Sequence, residues 1–116
     1  MTAGAEAARA APERVMIEAV SGYRVSLVDM AVVGAGESTE LRGWARRTPG
    51  RPGLILAHLR VEAFDATGER ISVTEARWNG ALAMRDSAAA RFYVPLPDAA
   101  IARVRVSVEP GAAPSR

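Results

Sequence analysis

The sequence predicts an all-β fold, seven short antiparallel strands packed as a two-sheet sandwich. Three observations lead there. Apolar and polar residues alternate along most of the chain, the pattern of half-buried strands. Turn residues separate the alternating runs at roughly 10–14-residue intervals, close to the spacing of sandwich strands. One stretch, Leu54 to Trp78, reads as a complete hairpin. Its arms flank Asp65-Ala66-Thr67-Gly68, where Asp65 can accept a hydrogen bond from backbone two residues on. Gly68 can take the positive φ that follows a type I turn. A small open barrel is the competing architecture.

Taken in order, residues 1–13 are Ala-rich and contain Pro12, which predicts a flexible tail; the folded domain spans 14–109, and 110–116 form a disordered tail. The first strand is Arg14 to Val20, stopped by Ser21-Gly22. The second, Tyr23 to Val33, is apolar on both parities, so it is buried on two sides or contains a bulge. Asp29 shares the parity of Val25 and Leu27, and a local register shift is the expected way to keep it out of the core. The third strand, Thr39 to Arg47, sets Leu41, Gly43 and Ala45 against Arg42, Trp44 and Arg46. Residues 46–53 carry the arginines, prolines and glycines of a loop.

Strands four and five are the hairpin. On its first arm Ile55, Ala57, Leu59, Val61 and Ala63 share one face, and His58, Arg60 and Glu62 the other. Glu75 shares the parity of Ile71 and Val73; pointing inward it needs an arginine partner such as Arg77 or Arg91, and a local register shift at a bulge is again the expected way to keep it out of the core. Residues 81–88 connect to strand six, with one short helical turn around Ala81 to Met84. Strand six, Ala89 to Leu96, turns Phe92, Val94 and Leu96 inward and Arg91 and Tyr93 outward, and Pro95 suits an exposed edge. Strand seven, Ile101 to Val108, alternates Val104, Val106 and Val108 with Arg103, Arg105 and Ser107.

Composition bounds the function. A chain of 116 residues makes one domain that buries roughly 65% of its unfolded surface. There is no cysteine, which excludes a disulfide frame and any thiolate metal or redox site. All 15 basic residues are arginine and 13 acids are interspersed, so the net charge is only +2. No run approaches the about 18 apolar residues that span a bilayer. The N-terminal residues lack an apolar h-region and do not form an intact signal peptide, but they suit a mature N-terminus left by signal removal.

The chemistry-bearing residues are few. His58 is the single histidine, too little for a His/Cys zinc site. No Gly-x-Ser-x-Gly elbow accompanies it, and Gly34-Ala-Gly36 opens no helix for a dinucleotide. An enzyme is therefore not expected. Met30, Met84 and His58 offer thioether and imidazole, the soft ligand set that suits Cu(I), and this makes a periplasmic copper carrier the alternative reading. The principal candidate is Trp44 between Arg42 and Arg46 on one strand face, a binding patch with Tyr93 and Trp78 as possible neighbours. The arginines of 46–51 could meet an acidic partner. Apart from Trp44 between Arg42 and Arg46, no aromatic–basic interleaving on a sheet face accompanies them, so no nucleic-acid partner is expected.

The segment Leu59-Arg-Val-Glu-Ala-Phe-Asp-Ala-Thr-Gly-Glu-Arg-Ile71 resembles the central hairpin of small bacterial immunoglobulin-like sandwich domains of the FxLYD/LEA14-like kind. Leu41-Arg-Gly-Trp-Ala-Arg46 and Phe92-Tyr-Val-Pro-Leu-Pro97 resemble the strands on either side of it, and the likeness runs over residues 40–97 with gaps. The Phe-x-Leu-Tyr-Asp signature itself is absent. The resemblance implies an immunoglobulin-like fold in a periplasmic or secreted protein, non-enzymatic, acting through a protein partner or self-association. It assigns no catalytic residue.

Overall fold

A computed structural model describes residues 15–22, 24–35, 38–48, 55–79 and 89–111. Seven strands follow one another: β1 (Met16–Val20), β2 (Val25–Ala35), β3 (Ser38–Arg47), β4 (Ala57–Phe64), β5 (Arg70–Ala76), β6 (Ala89–Leu96) and β7 (Arg103–Pro110). There is no helix among the described residues; the helical turn expected around Ala81 to Met84 lies outside them, as do the two expected tails apart from Pro110 and Gly111. The strands form two sheets, ordered β1-β7-β4-β5 and β2-β3-β6.

One expectation is corrected. The four-stranded sheet is mixed, because β1 runs parallel to β7, with Met16 opposite Arg103 and Val20 opposite Ser107. Antiparallel neighbours can follow a tight turn, whereas a parallel pair needs a long connection. β1 and β7 stand at opposite ends of the chain, so nothing local constrains their direction. Alternation specifies a face and is silent on orientation.

β2 explains its double apolar parity through a bulge. Val25 and Leu27 point inward opposite Arg47 and Ala45, the register shifts between Val28 and Ala31, and beyond it Val32 faces inward opposite Leu41. Asp29 and Met30 together oppose Gly43, and Asp29 takes φ +53°, which turns its carboxylate to solvent. Gly43 accommodates the crowding. A Cβ there would lie 2.7 Å from Met30 Cγ and 2.7 Å from Phe92 Cζ.

The hairpin turn forms as its residues dictate. Gly68 N–H donates to the Asp65 carbonyl at 3.0 Å, with φ +90° at Gly68. Asp65 Oδ1 accepts from the backbone N–H of Thr67 and Glu69 and from the Thr67 hydroxyl. Those bonds hold the Asp65 carboxyl below the usual aspartate range, the Thr67 hydroxyl contributing most. The turn also fixes the β5 register, with Ile71 as an extra residue between the Phe64–Arg70 and Ala63–Ser72 pairs. Ser72 and Thr74 therefore lie on the core side, opposite Ala63 and Val61, while Ile71 and Val73 face outward. Side chains alternate, so one fixed register decides every face.

Between the sheets lie Leu59, Val61, Ala63, Val104 and Val106 from one side and Leu41, Ala45, Phe92 and Val94 from the other, all nearly inaccessible. Burying one such Leu, Val or Phe contributes about 1.5–3 kcal/mol, whereas an exposed ion pair contributes about 0–1 kcal/mol. The core therefore holds the sandwich together, and the surface bridges only decorate it. Trp78 closes the seam beyond β5, and Asn79 N–H donates to the Arg91 carbonyl on β6 at 2.6 Å, which carries the chain from one sheet to the other.

Candidate functional site

The outer face of the β2-β3-β6 sheet follows from strand parity. Leu41, Gly43, Ala45 and Arg47 are buried on β3, so Arg42, Trp44 and Arg46 project to the opposite side as the sequence requires. On β6, burial of Ala90, Phe92 and Val94 sends Arg91 and Tyr93 outward. The β3–β6 register then builds what neither strand has alone. Trp44 lies opposite Arg91, and Arg42 opposite Tyr93, so aromatic and guanidinium groups alternate in both directions. On the other side Val28 lies opposite Trp44, and Ala31 opposite Arg42.

The contacts match that pattern. The Arg91 guanidinium sits 4.8 Å from the Trp44 ring centroid and 5.8 Å from that of Tyr93, and its Nη1 donates to the Tyr93 hydroxyl at 2.9 Å. The Arg42 guanidinium lies 5.7 Å from the Tyr93 ring and pairs with Glu40 through its Nε. Arg46 is exposed at the end of the row. The sheet face thus carries the interleaving of aromatic and basic groups that was not expected beyond Arg42, Trp44 and Arg46, because the β3–β6 register adds Arg91 and Tyr93 to that row. Arg91 is the member that parity on β3 alone could not find; the outward parity of β6 carried the signal. Trp78, an expected neighbour, belongs to the core and takes no part.

A second cluster occupies the outer face of the other sheet. His58 is 7% exposed; its Nδ1 meets the Gly111 carbonyl at 2.9 Å and its Nε2 meets Glu75 Oε1 at 2.6 Å. A carbonyl only accepts, so Nδ1 carries the proton of that bond. Arg60 Nε donates to Glu75 Oε2 at 2.9 Å. Burial pushes the Glu75 carboxyl up, but the hydrogen bonds and charges of Arg60 and His58 outweigh it and hold the group below the usual glutamate range. Glu75 faces outward with Ile71 and Val73, kept out of the core by the register shift at Ile71, and its partners there are Arg60 and His58. His58, expected as a solvent-facing strand residue, is instead enclosed by these partners.

The three residues of the alternative copper site fall apart in space where they are described. His58 is on β4 with both ring nitrogens engaged. Met30 is on β2 in the other sheet, packed on the core beside Gly43, and Met84 lies outside the described residues. Among the described residues no group of three or more His, Asp or Glu could hold a metal ion, and no helix is long and apolar enough to cross a membrane. The arginines of the 46–51 loop divide similarly: Arg46 is exposed on the strand, Arg47 is 1% exposed at its end, and Arg51 lies outside the described residues. Compared with models of protein families, with curated proteins and with solved structures, the chain matches none.

Proposed function

We propose that this chain is a non-catalytic binding module, an immunoglobulin-like domain of an exported bacterial protein, which engages an acidic segment of a protein partner through Arg42, Trp44, Arg46, Arg91 and Tyr93. The observation that carries the reading is the guanidinium cover over the aromatic rings, Arg91 over Trp44 at 4.8 Å and Arg42 over Tyr93 at 5.7 Å. A guanidinium stacked on a ring loses little side-chain entropy on binding, and the N–H groups that Glu40 and Tyr93 leave unused on Arg42 and Arg91 can turn to a carboxylate. The same cover argues against stacked nucleobases, which need open ring faces. Immunoglobulin-like architecture is supported by two packed sheets and by a chain that crosses between them after β1, β3, β5 and β6. Export is supported by the likeness of the 59–71 hairpin to envelope sandwich domains.

The test is native mass spectrometry of the chain isolated gently from its host, wild type beside Trp44→Ala and Arg91→Ala. The expected result is a stoichiometric protein partner held by the wild type and released at least tenfold more readily by both variants, with unchanged circular dichroism. A partner retained by both variants overturns the assignment of this face. One copper per chain, lost in His58→Ala, or tight binding of a single-stranded oligonucleotide, overturns the function itself.

A further inference from the structure

The outward positions of a solvated sheet face are usually polar, and those of β2 are not. Its register with β3 sets Val28 opposite Trp44, Ala31 opposite Arg42 and Val33 opposite Glu40, so all three lie on the outer face. Ala31 is exposed and the two valines are half-buried. The core takes Val25, Leu27 and Val32 from this strand, and none of the other three belongs to it. Residues directly opposite stand with Cβ atoms about 4.5–5.5 Å apart. Val28, Ala31 and Val33 therefore form an apolar lane alongside the guanidinium and aromatic row of β3 and β6.

Charge distinguishes this face from the one on the other sheet. There the apolar side chains of β1 and β5 adjoin ion pairs that satisfy one another, Arg60 with Glu75, Arg70 with Glu62 and Arg103 with Glu18. Here Arg42 is paired with Glu40, but Arg46 and Arg91 meet no carboxylate among the described residues. All three guanidinium groups stand on β3 and β6. β2 carries one charged side chain, Asp29, exposed at its bulge. The face is thus positive over β3 and β6 and negative at the β2 edge. Neither edge invites an added strand, because β2 is bent at mid-length by its bulge, and β6 carries Pro95 with its Arg91 carbonyl taken by Asn79. A segment that engages this sheet lies over the side chains.

We propose that the acidic partner segment is amphipathic and is held in one orientation, its apolar side chains over Val28, Ala31 and Val33 and its carboxylates over Arg42, Arg46 and Arg91. This rests on the reading of the face as the partner site, and it narrows the partner to a segment with both kinds of side chain, which excludes a purely acidic tail. Apolar contact on the β2 lane excludes water beside the guanidinium groups, and a charged hydrogen bond is stronger where water is excluded. Asp29 fixes the orientation. A segment turned the other way brings its carboxylates to the β2 edge, where like charge opposes them.

The probe is a library of random peptides displayed on phage and selected against the immobilised full chain, with the recovered peptides synthesised and titrated calorimetrically. Selected sequences are expected to combine Asp or Glu with Leu, Ile, Val or Phe. Val28→Thr with Val33→Thr keeps the β-branched shape that suits a strand and makes the lane polar. It is expected to weaken the selected peptides at least tenfold with unchanged circular dichroism. Ala31→Gln, at an exposed position, weakens them in the same direction and guards against misfolding of the double variant. An oligoglutamate peptide binds at least tenfold more weakly than the selected ones, and Asp29→Asn strengthens it more than it strengthens them. Selected peptides that are acidic without apolar residues, or that are indifferent both to the double valine variant and to Ala31→Gln, overturn the amphipathic assignment and leave the acidic-segment reading standing. Selected peptides without acidic residues, peptides indifferent to Arg91→Ala, or a library that yields no binder overturn that reading and this assignment with it.

Discussion

Glu75 draws two basic groups onto one carboxylate, and its ordinary-looking position on a strand conceals how much depends on it. Arg60 donates to one of its oxygens and the His58 ring meets the other, and the same ring holds the Gly111 carbonyl just past the end of β7. Asp65 is the other carboxylate with several donors, from Thr67 and Glu69 in the hairpin turn. Both groups lie below their ordinary range in the folded chain, so the unfolded chain binds their protons first. Their contribution to stability is then complete above the unfolded carboxylate range and is lost as pH falls through the lower folded values. Thermal unfolding midpoints are expected to drop below about pH 4. Glu75→Gln should lie below the wild type at pH 7 and converge with it in acid. Parallel curves across the whole range would remove Glu75 from the account. Sequence reading recognised the Asp65 turn because its donors are two to four residues away. It missed the Glu75 cluster, whose partners are 15 and 17 residues away.

At the scale of elements, β2, β3 and β6 meet at Gly43 with no room for a side chain. Gly43 faces Phe92 on one side and the bulge of Asp29 and Met30 on the other. Replacing a strand glycine by alanine ordinarily gains about 0.5–1 kcal/mol of backbone entropy. Here the new methyl would meet Phe92, fully buried and unable to move aside, at 2.7 Å. Overpacking of this kind costs about 1–3 kcal/mol, and it wins. Gly43→Ala should lower the free energy of unfolding measured in urea, and by less in a Met30→Ala background, where one of the two clashing groups is gone. An unchanged midpoint would mean that the β2 bulge relaxes freely. The bulge itself was legible, because a strand apolar on both parities with a stray Asp29 demands a parity switch. Its exact seat at Gly43 was not, since that depends on which residue of β3 lies across from it.

For the whole molecule, strand order sets a hierarchy of local stability. β3, β4 and β7 are paired on both sides, whereas β1, β2, β5 and β6 are edges. β1 is the weakest, a five-residue strand with most of its side chains exposed. Amide hydrogen exchange should therefore be slowest in β3, β4 and β7 and fastest in β1. Equal protection in β1 and β7 would contradict the order.

What the sequence determined by itself is local. Alternation placed all seven strands within a few residues, turn chemistry at Asp65 to Gly68 closed the hairpin, and parity put Arg42, Trp44 and Arg46 on one outer face. Each of these rests on residues a few positions apart, within reach of a two-residue period or a single turn. Only the tertiary structure decided the rest. It ran β1 parallel to β7, turned Ile71 and Val73 outward, brought Arg91 over Trp44, and sent Met30 and His58 to different sheets. Those outcomes are set by which strands lie side by side and in what register, and that choice is made by the shared core between sheets, which no single strand encodes.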